Sequence, residues 1–201
     1  MPRETFHNLT EEKREKIIKA ARDEFTEHEF VKCRVSNIIK NAGIPRGSFY
    51  QYFDDLEDLY FYLIEDLFDS IYEAGETYAA QTDDVFEFSF ISFDYDYSAF
   101  INDKRHRFMM NVLKSLSQYE EHVIRFQQKR IDYISSILKK MDLSKVKYKE
   151  EDDLIKMYQF IQDTKRVVIR KSMIDNLTPE EAKEEFKWYI DILKNGLLKE
   201  D

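Results

Sequence analysis

The chain has 201 residues, 43% of them hydrophobic and 15% aromatic, with only 4 Gly and 3 Pro, so it can bury a core and must build it from long elements with few turns. No stretch approaches the roughly 18 consecutive apolar residues of a membrane span. The N-terminus is charged where a signal peptide needs an apolar run, and the single Cys33 cannot pair within the chain, which together point to the cytoplasm. The net charge of -9 argues against a nucleic-acid partner until its distribution is considered: residues 1–53 hold 10 Lys and Arg against 8 Asp and Glu, while the other 148 residues carry -11.

Thr10 is placed to cap a first helix through Ile17, Ile18, Ala21 and Phe25, with Glu11 and Glu12 at the positive end of its dipole. Val35, Ile38 and Ile39 predict a short second helix closing at Asn41, Ala42 and Gly43, with Gly43 in left-handed geometry. Pro45 suits the first turn of a third helix, 45–52. The break at Phe53, Asp54 and Asp55 caps a fourth, from 55 to about 80, with Leu56, Leu59, Tyr60, Leu63, Leu67 and Ile71 on its apolar side.

Between 83 and 101, Phe86, Phe88 and Phe90 alternate as in a strand, whereas Phe86, Phe90, Phe93, Tyr97 and Phe100 follow helical steps. A lone strand has nothing to pair with, so a fifth helix is expected. Further helices are expected over 103–115, 118–141, 150–175 and 179–198, with Lys145–Asp153 a charged linker. The last opens on a capping box, Thr178-Pro179-Glu180-Glu181, and continues through Ala182, Phe186, Tyr189, Ile190, Leu193 and Leu197. The expected architecture is all-α, nine helices in two domains, 1–54 and 55–201.

The segment Ser36 to Phe53, SNIIKNAGIPRGSFYQYF, carries the functional signal. Helix, glycine turn and proline-started helix form the arrangement that projects a second helix into a major groove. Arg46, Ser48 and Gln51 can bond bases or phosphates, Gly47 lets the backbone approach the sugar-phosphate wall, and Tyr50 and Tyr52 supply hydroxyls. Arg34 and Ser36 complete the DNA-binding candidates, while Phe49 and Phe53 hold the helix to its core. The competing reading is a helical corner used only for packing; the tyrosines speak against it.

Residues 10–67 resemble the DNA-binding domain of the tetracycline-repressor (TetR) family. The resemblance runs through Ile17, Ala21, Phe25, Phe30, Val35, Ile38, Ala42, Gly43, Gly47, Tyr50, Tyr52, Phe53, Glu57 and Leu59, and through the run GIPRGSFYQYF. It departs at Glu29, where the family usually has glycine, at Arg34, where a small hydroxyl residue is common, and at Leu56, where a lysine commonly faces the DNA backbone. The resemblance implies a homodimeric regulator, with an effector pocket among the fourth to eighth helices and the last two helices bundled with their counterparts.

Phe90, Phe93, Tyr97, Phe108, Phe126, Tyr133 and Tyr158 are candidates to line a cavity for an apolar or amphipathic effector, with Gln162, Lys165 or Arg166 at its polar end; plain core packing is the alternative for each. Trp188 and Ile192 widen the apolar stripe of the last helix beside Tyr189 and Leu193, which suggests a dimer face. The expected function is a repressor released from operator DNA when the effector favours a second state. A helix-turn-helix regulator controlled by a protein partner is the nearest alternative. A helical-bundle enzyme is the other: His7, His28, His106 and His122 make no H-E-x-x-H motif, and adjacent Glu120, Glu121 and His122 point in different directions from a helix. No cofactor and no metal are expected.

Overall fold

The computed structural model describes residues 1–116 and 118–197. All regular structure among them is helical: α1 (Glu4–His7), α2 (Glu11–Glu27), a 3-10 turn (Phe30–Lys32), α3 (Val35–Ala42), α4 (Arg46–Tyr52), α5 (Leu56–Ala79), α6 (Val85–Ile91), α7 (Phe93–Ile101), α8 (Asp103–Leu116), α9 (Glu120–Leu138), α10 (Glu151–Asp175) and α11 (Pro179–Leu197). None of these helices is long and apolar enough to cross a membrane. The chain gathers into two compact units, Met1–Ile71 with Asp103–Val123, and Tyr72–Asn102 with Ile124 onward.

The first unit buries the apolar side of α2, where Ile17, Ala21 and Phe25 are at most 1% exposed, against Ile38, Phe49, Phe53, Leu59 and Tyr60. Phe25 meets the Tyr60 ring edge-on at 4.8 Å, and Tyr60 stacks on Phe30 at 4.5 Å. Its hydroxyl pairs with Ser115 Oγ at 2.6 Å, so the phenol enters the core with its polar tip satisfied. Helix α8 also packs on α2. The Asn111 amide donates to the carbonyls of Phe25, Thr26 and His28 at 3.0, 3.1 and 3.2 Å, closing the end of a helix whose sequence has no glycine there.

The second unit is centred on Phe93 and Phe186, both fully buried and stacked at 5.3 Å. Ile161, Ile169, Ala182 and Ile190 complete the packing of α10 and α11. The capping box at Thr178 forms as read: Glu181 N donates to Thr178 Oγ1 at 3.2 Å and Thr178 N to Glu181 Oε2 at 2.8 Å. Asn176, with φ 53°, ends α10 in the left-handed region, and Leu177 N reaches back to Ser172 O at 2.9 Å.

The described residues form eleven α-helices where nine are expected. Helix α1 is too short to show a period, although its Phe6 is completely buried. The expected fifth helix is indeed helical, but it breaks at Ser92, whose φ of -79° and ψ of -5° both end α6 and start α7. Its signal is the Asp84 carboxylate, which caps α6 by accepting from Phe86 N at 2.7 Å and Glu87 N at 3.0 Å. Thr10 does stand at the N-cap of α2, but its hydroxyl makes no capping bond. The expected seventh helix stops at Leu138, and Met141 and Val146 are buried in the segment that follows, so the charged linker contributes to the core.

Candidate nucleic-acid interface

Helices α3 and α4 are joined by a turn that only a residue tolerant of positive φ can make. Gly43 takes φ 67° and ψ 34°, with Gly43 N on Lys40 O at 3.3 Å and Ile44 N on Ile39 O at 3.0 Å. The inner sides of the two helices are anchored by Ile38, Phe49 and Phe53, each fully buried, and by Ala42. Phe49 and Phe53 lie 5.4 Å apart. That leaves Arg34, Ser36, Arg46, Gly47, Tyr50 and Gln51 exposed, with Ser48 and Tyr52 half-buried. The Arg46 guanidinium lies 5.8 Å from the centre of the Tyr50 ring, which pre-aligns two outward side chains one helical turn apart.

Two supports of this face escape sequence reading. The first is Glu24, 6% exposed on α2, whose Oε1 accepts from Arg34 N and Asn37 Nδ2, both at 2.9 Å, and whose Oε2 accepts from the same amide at 3.2 Å. A carboxylate from one helix thus caps the start of α3. The second is the N-terminal segment. Arg3 N donates to Tyr52 O at 2.8 Å, Arg3 Nη1 to Tyr50 O at 3.0 Å, Arg3 Nε to Asp54 Oδ1 at 3.0 Å, and the Thr5 hydroxyl to Gln51 O. At Glu29 the backbone is extended, with φ -61° and ψ 145°, so this turn does not need a glycine. Leu56 is half-buried at the start of α5, where Asp58 N is capped by Asp55 Oδ1 at 2.8 Å. Cys33 is buried among the carbonyls of Glu24, His28 and Glu29. Burial, with Glu24 nearby, pushes its thiol up to about 12, far from the range of a reactive thiolate.

The effector candidates divide between the units. Phe108 is buried in the first, while Phe90, Phe93, Tyr97, Phe126, Tyr133, Tyr158, Gln162 and Arg166 belong to the second. Within the second unit a polar row crosses the aromatic core. Gln162 Nε2 donates to Ser89 Oγ at 3.1 Å, and Lys165, 2% exposed, holds Ser92 Oγ at 2.9 Å and pairs with Asp96. Burial pulls the lysine below its usual range although Asp96 acts the other way. Burial also raises Tyr133 to about 12, and the ring bonds Tyr158 through its hydroxyl. Gly75 admits that hydroxyl, since a Cβ there would stand 1.8 Å from it.

On α11, Trp188 and Ile192 are 60% and 49% exposed, whereas Tyr189 and Leu193 lean into the core. Phe160, Val167 and Ile174 on α10 are also exposed, at seven-residue steps that keep one helix face.

Residues 17–63 match the model of the bacterial regulatory proteins, tetR family. The uncharacterized HTH-type transcriptional regulator YdgC of Bacillus subtilis (strain 168) is 36% identical over 66 residues, which cover 33% of this chain and 34% of that protein, so the match spans about a third of the relative's length. A TetR family transcriptional regulator from Chloroflexus aurantiacus is similar in fold over the whole of both chains, with a TM-score of 0.55 and 24% identity. The transcriptional regulator FadR of Bacillus subtilis, solved in complex with stearoyl-CoA, is similar over 89% of this chain and 96% of its own, with a TM-score of 0.62 and 18% identity. These likenesses in structure establish a shared all-helical fold, and the sequence match falls on the residues that build the glycine turn and its exposed helix. With both in hand, residues 17–63 match the tetR family of bacterial regulatory proteins, and the chain shares the helical fold of solved regulators similar to it.

Proposed function

We propose that this chain is a homodimeric cytoplasmic regulator of transcription, a repressor that grips operator DNA with residues 1–54 and lets go when residues 55–201 take up a small molecule. The observation that carries it is the face of α3 and α4: a left-handed Gly43 turn, an apolar inner side fully buried, and Arg46, Gly47, Tyr50 and Gln51 exposed together. Arg34, Ser36, Ser48 and Tyr52 flank them as backbone contacts. Selection from random duplex DNA should return a palindromic site, and Arg46→Ala should weaken binding to it. An absence of any preferred duplex at moderate salt would remove the reading.

Dimerisation is supported by the exposed apolar row of α10 and by Trp188 and Ile192 on α11, large apolar side chains left in solvent on both of the last two helices. The occupant is a second copy, as a palindromic site requires. Light scattering should give the mass of a dimer, and Trp188→Glu should give that of a monomer.

The effector is an apolar or amphipathic molecule held in the second unit among Phe90, Phe93, Tyr97, Phe126, Tyr133 and Tyr158, with its polar end toward Gln162, Lys165 and Arg166. Support comes from the polar row inside an aromatic core and from the acyl-CoA in the complex of the similar FadR structure. A thermal-shift series with acyl-CoAs, free fatty acids and hydrophobic cations tests it: one class should raise the melting temperature and release the selected duplex.

A further inference from the structure

Helix α4 has seven residues, too few to hold itself together, and its last carbonyls have no intrahelical partner. The usual remedies are missing: its last turn has no basic residue, and the C-cap is Phe53 in extended geometry rather than a glycine. Yet the carbonyls of Tyr50, Gln51 and Tyr52 are all occupied, by the Arg3 guanidinium, the Thr5 hydroxyl and the Arg3 backbone N–H respectively. Phe6 fixes this segment to the core. It is fully buried, 4.8 Å from the Phe53 ring, 6.2 Å from Tyr52 and 5.6 Å from Tyr62.

We propose that residues 3–6 are a clamp that sets the pose of the recognition helix, with Arg3 a positioning residue for DNA binding rather than a DNA contact. The proposal rests on the reading of α4 as the DNA-reading helix. Three properties follow from the geometry. The guanidinium places positive charge at the negative end of α4. Its fork also holds Asp54 through Nε and Nη2, neutralising a carboxylate at the end of a helix that must approach phosphates. Finally, Nε, Nη1 and Nη2 each donate to a protein acceptor, so three of the five N–H groups are spent on holding the guanidinium against the end of α4.

The experiment uses the full chain and a duplex selected by the wild type, with affinity measured across a salt series for the wild type, Arg3→Ala, Arg3→Lys, Thr5→Val and Phe6→Ala. Hydrogen exchange over residues 46–53 is followed without DNA. Arg3→Ala should weaken binding about tenfold at fixed salt, the size of one lost charge-assisted hydrogen bond. The slope of log affinity against log salt should stay unchanged, and exchange in α4 should quicken. Arg3→Lys should recover part of the affinity, because it restores the charge but not the fork. Phe6→Ala should show the larger loss; if it fails to fold, Arg3→Ala and Thr5→Val, at exposed positions, decide the matter.

A salt slope reduced by about one in Arg3→Ala would make Arg3 a phosphate contact and overturn the proposal. Unchanged affinity, or unchanged exchange in both Arg3→Ala and Thr5→Val, overturns it as well. If the wild type selects no duplex, the DNA-binding reading fails and takes the clamp's role with it; variants that bind as tightly as a binding wild type defeat the clamp alone.

Discussion

Each compact unit buries a charge, and the two solve the same problem in opposite ways. In the first, the Glu24 carboxylate is 6% exposed and is met by neutral donors on one short stretch of chain, Arg34 N and Asn37 Nδ2. In the second, the Lys165 ammonium is 2% exposed and is met by the Ser92 hydroxyl and by an opposite charge, Asp96, which is itself 35% exposed. A charge held by neutral donors fixes local geometry, because its bonds are directional and have no ionic competitor. A charge held by a partly solvated carboxylate can exchange partners, because another anion can replace the first. The first arrangement suits a helix start that must not move, and the second would suit the polar end of the proposed effector.

The sharpest break of this comparison removes one side of the lysine pair. Asp96→Asn leaves Lys165 buried without its counter-charge and should destabilise the protein by about 3 kcal/mol. Lys165→Met, which removes the charge and keeps the volume, should be near neutral or stabilising by about 1 kcal/mol, so the two denaturant midpoints should fall on opposite sides of the wild type or nearly so. The pH dependence has a definite sign. Burial lowers the folded-state pKa of Lys165 below its unfolded value, so the unfolded chain binds the extra proton and folding is opposed below the folded pKa. The wild type should therefore gain on Lys165→Met as pH rises from the lowered pKa toward the usual lysine range. A constant difference between the two across that window would mean that the ammonium is solvated in solution.

Glu24 should behave differently. Glu24→Leu strands two donors at the start of α3 and should cost about 2 kcal/mol. Glu24→Gln keeps an acceptor and should recover more than half of that, whereas no neutral amide at 96 can recover the counter-charge of Lys165. If Glu24→Gln is as damaging as Glu24→Leu, charge rather than hydrogen-bond geometry is what α3 needs.

How much of this was legible in the sequence depends on the range of each interaction. Gly43 and the Thr178 box could be read because a turn and a cap are local devices, settled by residues within four positions of each other. The all-helical class and the exposed polar side of α4 followed from apolar spacing. The Asn111 amide, which reaches carbonyls 83 to 86 positions away, left no local pattern, and neither did Arg3, 47 positions from Tyr50, or Lys165, 73 positions from Ser92. Glu24 reads as one more charge on the polar side of a helix until α3 is folded against it. The aromatic residues over 86–100 announce a core, but nothing in their spacing tells which of them pack together and which border a polar row.

A smaller effect sharpens the local half of the comparison. Gly43→Ala meets no atom within 4 Å, so its cost is conformational alone, about 1 kcal/mol for a side chain at φ 67°. Asn, which tolerates the left-handed region, should restore about half of that. A loss well above about 2 kcal/mol would point to crowding at the turn.

The smallest expected effect lies beside Glu24. Cys33→Ala should move the melting temperature little at neutral pH, because the thiol acts there as a small hydrophobe with weak bonds to three carbonyls. Its reactivity is the more telling measurement. With the folded pKa raised to about 12 by burial first and by Glu24 second, the native thiol is protonated at pH 8 and should alkylate mainly through opening, with a small contribution from the closed state. The sign at alkaline pH is fixed too: the unfolded thiol ionises first, so stability is lost as pH climbs from its ordinary pKa toward 12, and Cys33→Ala should be spared that part of the loss. Glu24→Gln should then speed alkylation in two separable ways, by removing a nearby negative charge and by loosening the start of α3. Comparing it with Glu24→Leu, which shares the first effect and exaggerates the second, tells whether the carboxylate governs its neighbour by field or by holding the helix in place.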